Sequence, residues 1–338
     1  MADPTCSRAN PASCVRAGVA AEFGKNTTKD VERAAKLYQR ACDYGAASGC
    51  TSFGYMLEKG RGIPADPKRA LQLFHQSCQR GDGRACLGEA RLTPHPTARR
   101  QLLTLACEKN NFDGCLQLGE MEERGQGGPL SPKSAHQRYK ALCDGHFANG
   151  CTALGHSYED AVGVAPNPST AAQLYKLGCT HGDPLGCVLL ADLKKRGQGT
   201  RKDTKQAAEL YQQACKDGSM EGCASIGAMQ LSGEGTPLDY SAAYQSLSRA
   251  CTAHHPRGCS NLGYLYENGY GTLRNFERAM ELYEEGCAGG HPMGCTNIGL
   301  MLAQGRGVRK NVSRAKTYFK KACTLGAQRG CKMQQEQW

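Results

Sequence analysis

The residues with chemistry to offer are the cysteines. Twenty of them fall into ten pairs: Cys6 and Cys14, Cys42 and Cys50, Cys78 and Cys86, Cys107 and Cys115, Cys143 and Cys151, Cys179 and Cys187, Cys215 and Cys223, Cys251 and Cys259, Cys287 and Cys295, Cys323 and Cys331. The members of every pair are eight residues apart, and successive pairs begin 36 residues apart. The step from Cys78 to Cys107 is the exception; it is 29, and the segment Arg91-Leu92-Thr93-Pro94-His95-Pro96 marks the missing seven residues. Such thiols can close disulfides or hold a metal. Structural zinc favours a Cys-x2–4-Cys spacing with two further ligands, which a seven-residue gap does not supply. A repeat treats every unit alike, so each pair is expected to close on itself. Redox state discriminates this from a cytosolic thiol or metal protein.

The elements that must position these sulfurs are helices. Counting from the first cysteine of each unit, position −8 is usually Ala (Ala34, Ala70, Ala135, Ala171, Ala207, Ala243, Ala279, Ala315) and −4 is aromatic or Leu (Tyr38, Phe74, Leu103, Tyr139, Tyr175, Tyr211, Leu247, Tyr283, Phe319). Positions −8, −5, −4 and −1 share one face at helical spacing; this is helix A. After the second cysteine an apolar residue precedes Gly, as in Phe53-Gly54, Leu118-Gly119, Leu262-Gly263 and Ile298-Gly299; this is helix B. A helical Gly costs about 1 kcal/mol against Ala, so its recurrence suggests two helices touching with no side chain between them. Helix B ends at Gly-x-Gly (Gly60-Arg61-Gly62, Gly125-Gln126-Gly127, Gly197-Gln198-Gly199, Gly233-Glu234-Gly235, Gly269-Tyr270-Gly271, Gly305-Arg306-Gly307), a C-cap and turn signal without the strand context of a phosphate loop. In Cys287-Ala-Gly-Gly-His-Pro-Met-Gly-Cys295 the glycines and Pro292 break the chain between the helices. A hairpin this tight brings two Cα atoms within the roughly 4.4–6.8 Å that a disulfide needs.

The period covers nearly the whole chain, so residues 1–338 read as one all-α domain of about nine full repeats after a partial N-terminal unit, with a shortened repeat around 87–107. The polar end, Lys332 to Trp338, suits a terminal cap. The net charge of +11 favours acidic partners. The basic residues are spread through the units without a nucleic-acid motif, so nucleic acid is not expected as a partner. No stretch is apolar enough to span a membrane, and Met1-Ala2-Asp3-Pro4-Thr5 lacks the basic and apolar regions of a signal peptide. Disulfides belong to oxidising compartments, so the expected chain is secreted or periplasmic with its native signal absent. Asn26-Thr27-Thr28 and Asn311-Val312-Ser313 are glycosylation sequons, meaningful only in a eukaryotic secretory route. His146, His181, His254, His255 and His291 gather in the A–B turns, where polarity explains them better than metal binding. No nucleophile motif such as Gly-x-Ser-x-Gly, Ser-x-x-Lys with Ser-Asp-Asn, or His-Glu-x-x-His occurs; no catalytic residue, metal ligand or cofactor is assigned.

A short helix A with Ala and Tyr, a helix B with Leu-Gly, and a Gly-x-Gly link resemble Sel1-like repeats. The 36-residue period and the Cys-x7-Cys pair narrow the likeness to the disulfide-stapled Helicobacter cysteine-rich type. The resemblance implies a right-handed α/α solenoid, or superhelix, of tetratricopeptide-like hairpins in which helix A lines the concave face. Residues off the buried stripe, at −7, −6, −3 and −2, would then face a groove: Gln39, Arg40, Gln72, His75, Gln76, Gln101, Gln137, Lys140, Gln173, Lys176, Gln212, Tyr244 and Arg249. Gln and Arg can donate to the backbone of an extended peptide. The expectation is therefore a monomeric scaffold that holds a protein or peptide. The same resemblance implies an alternative, a weak β-lactam or peptidoglycan hydrolase, and a mitochondrial relative built from the same unit makes the intermembrane space the runner-up compartment.

Overall fold

The structure is a computed structural model that describes residues 6–336. The N-terminal pentapeptide and residues 337–338 of the polar C-terminal segment lie outside the described residues. The chain forms two compact units, Met1–Pro166 and Asn167–Trp338. In the first stand α1 (Pro11–Phe23), α2 (Val31–Asp43), α3 (Ala47–Lys59), α4 (Pro67–Gln79), α5 (Gly83–Leu92), α6 (Pro96–Glu108), α7 (Phe112–Glu123), α8 (Pro132–Asp144) and α9 (Ala148–Glu159). In the second stand α10 (Pro168–Thr180), α11 (Pro184–Arg196), α12 (Thr204–Lys216), α13 (Met220–Ser232), α14 (Tyr240–Thr252), α15 (Pro256–Asn268), α16 (Phe276–Ala288), α17 (Pro292–Gln304), α18 (Val312–Thr324) and α19 (Gln328–Gln335). Among the described residues there is no strand, only an isolated bridge between Ser7 and Asn10. Each unit is a solenoid in which even-numbered helices are helix A and odd-numbered helices are helix B.

The boundaries follow from local chemistry. Asp30, Asp66, Asn167, Asp203, Asp239, Asn275 and Asn311 cap the A helices, each side chain accepting a backbone N–H from the first turn. Many helices open with Pro, whose missing N–H costs nothing there. The second glycine of the link has two reasons to be glycine. Gly62 and Gly271 have φ of 69° and 67°, and a Cβ on either would stand 2.5 Å from the Val31 or Tyr240 carbonyl oxygen. Where the link reads Ala161-Val162-Gly163, Ala161 itself takes the left-handed conformation, at φ 60°.

The −8 alanines and −4 rings are buried: Ala34, Ala70 and Ala279 are fully covered, as are Phe74, Tyr283 and Phe319. Helix B's glycine corrects the expectation that two helix backbones meet there. The ring at −4 of the following unit lies against it, so that a methyl on Gly18 would stand 2.6 Å from Tyr38 and one on Gly119 2.5 Å from Tyr139. The glycine is a notch for a ring. Ten disulfides close the A–B turns in the i, i+8 pattern, among them Cys6–Cys14 and Cys287–Cys295, with Cα atoms 4.3 and 4.7 Å apart, and among the described residues no cysteine is free. A chain stapled in this way is built for an oxidising environment.

Candidate functional site

The exposed face of helix A is set by the residues that helix A cannot bury. Gln72, His75, Gln76, Gln101, Gln137, Lys140, Gln173, Lys176, Gln212 and Arg249 are exposed, and Gln39, Arg40 and Tyr244 are half-buried. Several are tied to the protein itself. Arg40 donates to the Cys6 carbonyl at 3.3 Å. His75 meets Glu89 and Gln79, each at 2.8 Å. Lys140 pairs with Asp144 at 2.7 Å, and Tyr244 shares a 2.9 Å hydrogen bond with Tyr266.

In the second unit this face opens into two clefts. One, of about 330 Å³, is lined by Tyr244 and Ser248 of α14, Leu262 and Tyr266 of α15, and Arg278 of α16. The other, of about 490 Å³, is lined by Met280 and Glu284 of α16, Ile298 and Leu302 of α17, and Arg314 of α18. Each residue of the second set lies 36 positions after its counterpart in the first. The repeat thus makes the same cleft twice: positions −7 and −3 of helix A form one wall, two residues of helix B one turn apart form the floor, and the arginine of the next helix A guards the rim. Tyr244 is the one assigned groove residue lining these clefts; the others stand elsewhere on helix A. The arginine is the feature sequence reasoning overlooked, although Arg33, Arg69, Arg278 and Arg314 occupy the same repeat position.

Four of the −4 tyrosines meet carboxylates. The Tyr38 hydroxyl donates to Glu22 at 2.7 Å, and Arg61 reaches the same carboxylate at 2.9 Å. Tyr283 donates to Glu267 at 2.6 Å, with Arg306 at 2.8 Å. Tyr139 donates to Glu123 at 3.1 Å, and Tyr211 to Asp192. Burial, and then the carboxylates, push all four phenols well above their ordinary range. These tyrosines stay protonated and act as donors. The signal was present in the sequence: Glu22, Glu123 and Glu267 each stand 16 residues before their tyrosine, whereas Phe319 follows Ala303 at the same spacing.

Two of the turn histidines meet carboxylates. His254 pairs with Glu285 at 2.5 Å and His255 with Glu221 at 2.9 Å. Arg257 also meets Glu221, at 2.5 Å. The hydrogen bond from His255 and the Arg257 charge hold Glu221 below the usual carboxylate range, while burial, and then Arg257 and His255, pull His291 down to about 4. The one cluster of metal-ligand type among the described residues is Cys251, Cys259 and Glu285, but its two sulfurs are already bonded to each other. One serine–histidine pair forms, Ser157 with His136 at 2.8 Å. Ser157 is fully buried and donates to the Leu154 carbonyl at 2.8 Å, so its hydroxyl is engaged in the backbone rather than presented to a substrate.

A family model described as Sel1 repeat matches residues 11–45, 48–82, 113–137, 148–183, 184–219, 221–255, 256–291 and 292–326. Among solved structures, a protective antigen of uropathogenic Escherichia coli displaying an SLR fold shares 22% identity over 92% of this chain and 76% of its own, with a TM-score of 0.57. A Sel1 repeat protein from Oxalobacter formigenes shares 22% identity over 66% of this chain and 90% of its own, with a TM-score of 0.60. Helicobacter pylori cysteine rich protein B shares 33% identity over 39% of this chain and 95% of its own, with a TM-score of 0.32. No curated protein matches the chain.

Proposed function

Because the chain belongs to the Sel1 repeat family, we propose that it is a protein-binding scaffold whose helix-A face receives an extended segment of a partner. The observation that carries this reading is the pair of clefts in register, one per 36-residue repeat, each with an apolar floor and an arginine at its rim. An extended chain offers side chains at regular intervals to such a series, and Arg278 and Arg314 suit acidic ones. The surplus of +11 charges favours the same partner.

The ten disulfides support a secreted or periplasmic location. The 36-residue step from Cys143 to Cys179 continues the period between the two compact units, which supports one solenoid domain; the expected monomer is checked by light scattering. The deciding experiment places a photo-crosslinking residue at Tyr244 or Met280, in the clefts, and at Leu273, outside them, and maps adducts formed in the native compartment. Cleft adducts with one partner, lost in the Arg278→Ala/Arg314→Ala chain, support the reading. Adducts at Leu273 alone, or insensitive to both arginines, overturn it.

A further inference from the structure

A cavity lies at the repeat shortened by seven residues. Helix α5 has 10 residues where α3 has 13, and only Thr93, Pro94 and His95 separate it from α6. A trough of about 550 Å³ lies there, lined by residues of α5, α6 and α7. Its floor is apolar: Leu87, Leu103 and Met121 are all buried. The family model passes over this segment, ending one match at residue 82 and opening the next at 113. None of its lining residues lines the helix-A clefts, so it is separate from the proposed partner site.

Its charges are sorted. Arg91 closes α5, Arg99 lies in the first turn of α6, and Arg124 caps α7. B helices run parallel and helix A runs against them, so these three arginines meet at one end. Asp113, in the first turn of α7, lines the other end, about 16 Å away at the helical rise. The arginines differ in freedom. Arg91 is paired with Glu58 and lies over the Tyr55 ring at 5.1 Å. Arg99 donates Nε and Nη2 to the Thr93 carbonyl, at 3.1 and 2.9 Å, which leaves Nη1 to offer. Arg124 is exposed, one turn beyond Glu120.

We infer that this trough binds a short free peptide of about four residues, its terminal carboxylate on Arg99 and Arg124 and its terminal amine on Asp113. An extended chain of that length spans about 14 Å, matching the separation of the charged ends. The buried leucines and Met121 suit small apolar side chains, and a carboxylate takes the two N–H edges of an arginine in one plane. Glu120 beside Arg124 disfavours dianionic ligands such as phosphate, which separates a peptide terminus from a general anion.

The test is isothermal titration of the full oxidised chain with the tetrapeptide Ala-Leu-Leu-Ala, its C-terminal amide and its N-acetyl form. The free-ended peptide is expected to bind with 1:1 stoichiometry, and each blocked form about tenfold or more weaker. Arg124→Gln should reduce the preference for acid over amide, with Arg99 retaining part of it, and Asp113→Asn should abolish the preference for amine over acetyl. Arg278→Ala/Arg314→Ala, in the helix-A clefts, should leave all three titrations unchanged, so loss of the partner-binding reading would not touch this one. Both trough substitutions are at exposed side chains, and far-UV circular dichroism checks that the variants are folded. No saturable binding of the free-ended peptide, or equal binding of all three peptides, overturns the assignment. Binding that survives both trough substitutions unaltered does so as well.

Discussion

Tyr38 and Tyr283 each donate to a carboxylate that also faces an arginine, and this arrangement is where single atoms matter most. Removing one hydroxyl takes a hydrogen bond away from Glu22 or Glu267, both of which are buried. Tyr38→Phe and Tyr283→Phe should each lower stability by about 1–3 kcal/mol, read as a shift in urea midpoint at constant slope. An unchanged midpoint would mean that the carboxylates are solvated. His291 gives a second residue-scale test. Its pKa falls from 6.5 to about 4 on folding, so between those values the unfolded chain binds more protons than the folded one. Stability from this group is full above pH 6.5 and is lost as pH falls toward 4. His291→Asn, at the N-cap position of α17 where His291 makes no side-chain capping bond, should reduce the drop in melting temperature between pH 7 and pH 4; an equal drop in both proteins would count against the assignment.

At the scale of elements, notch and ring couple a helix B to the next helix A, as in α1 with α2, α7 with α8 and α15 with α16. A methyl group on Gly119 would press the Tyr139 ring and move its hydroxyl away from Glu123. In another unit Ala191 takes the glycine's place, Lys195 stands 16 residues before the tyrosine, and Tyr211 turns to Asp192, 19 residues earlier. Gly119→Ala should therefore destabilise by about 1–3 kcal/mol through overpacking, measured by thermal or urea unfolding. A neutral result would show that α7 and α8 can slide apart at no cost. The notch was legible as a recurring glycine, but its purpose was not. Sequence spacing reports that a side chain is missing, and only the packed neighbour reveals which group fills the space.

At the scale of the whole molecule, disulfides replace the large single core that a chain of this length could have built. Each hairpin touches only its neighbours, so the i, i+8 staple is what fixes its angle before packing begins. A loop this short contributes roughly 2.5 kcal/mol per bridge on the chain-entropy model. Reduction should therefore lower the melting temperature strongly, with loss of helical circular dichroism. Alkylation of the native, unreduced chain should add no mass, and peptide mapping should return the ten i, i+8 pairs. Free thiols in the protein from its native compartment would instead put the cytosolic reading first.

The sequence by itself determined the repeat, the helix pairs, the staples and the exposed face of helix A, because each depends on residues fewer than 36 positions apart and on helical geometry alone. Tertiary structure decided what lies between the repeats. The clefts need walls from three successive helices, the tyrosine–carboxylate–arginine groups join two helices through a link, and the trough at the shortened repeat is lined from α5, α6 and α7. Spacing along the chain locates a deletion, but the trough there, and the three arginines collected at one end of it, come from the way neighbouring helices pack in three dimensions.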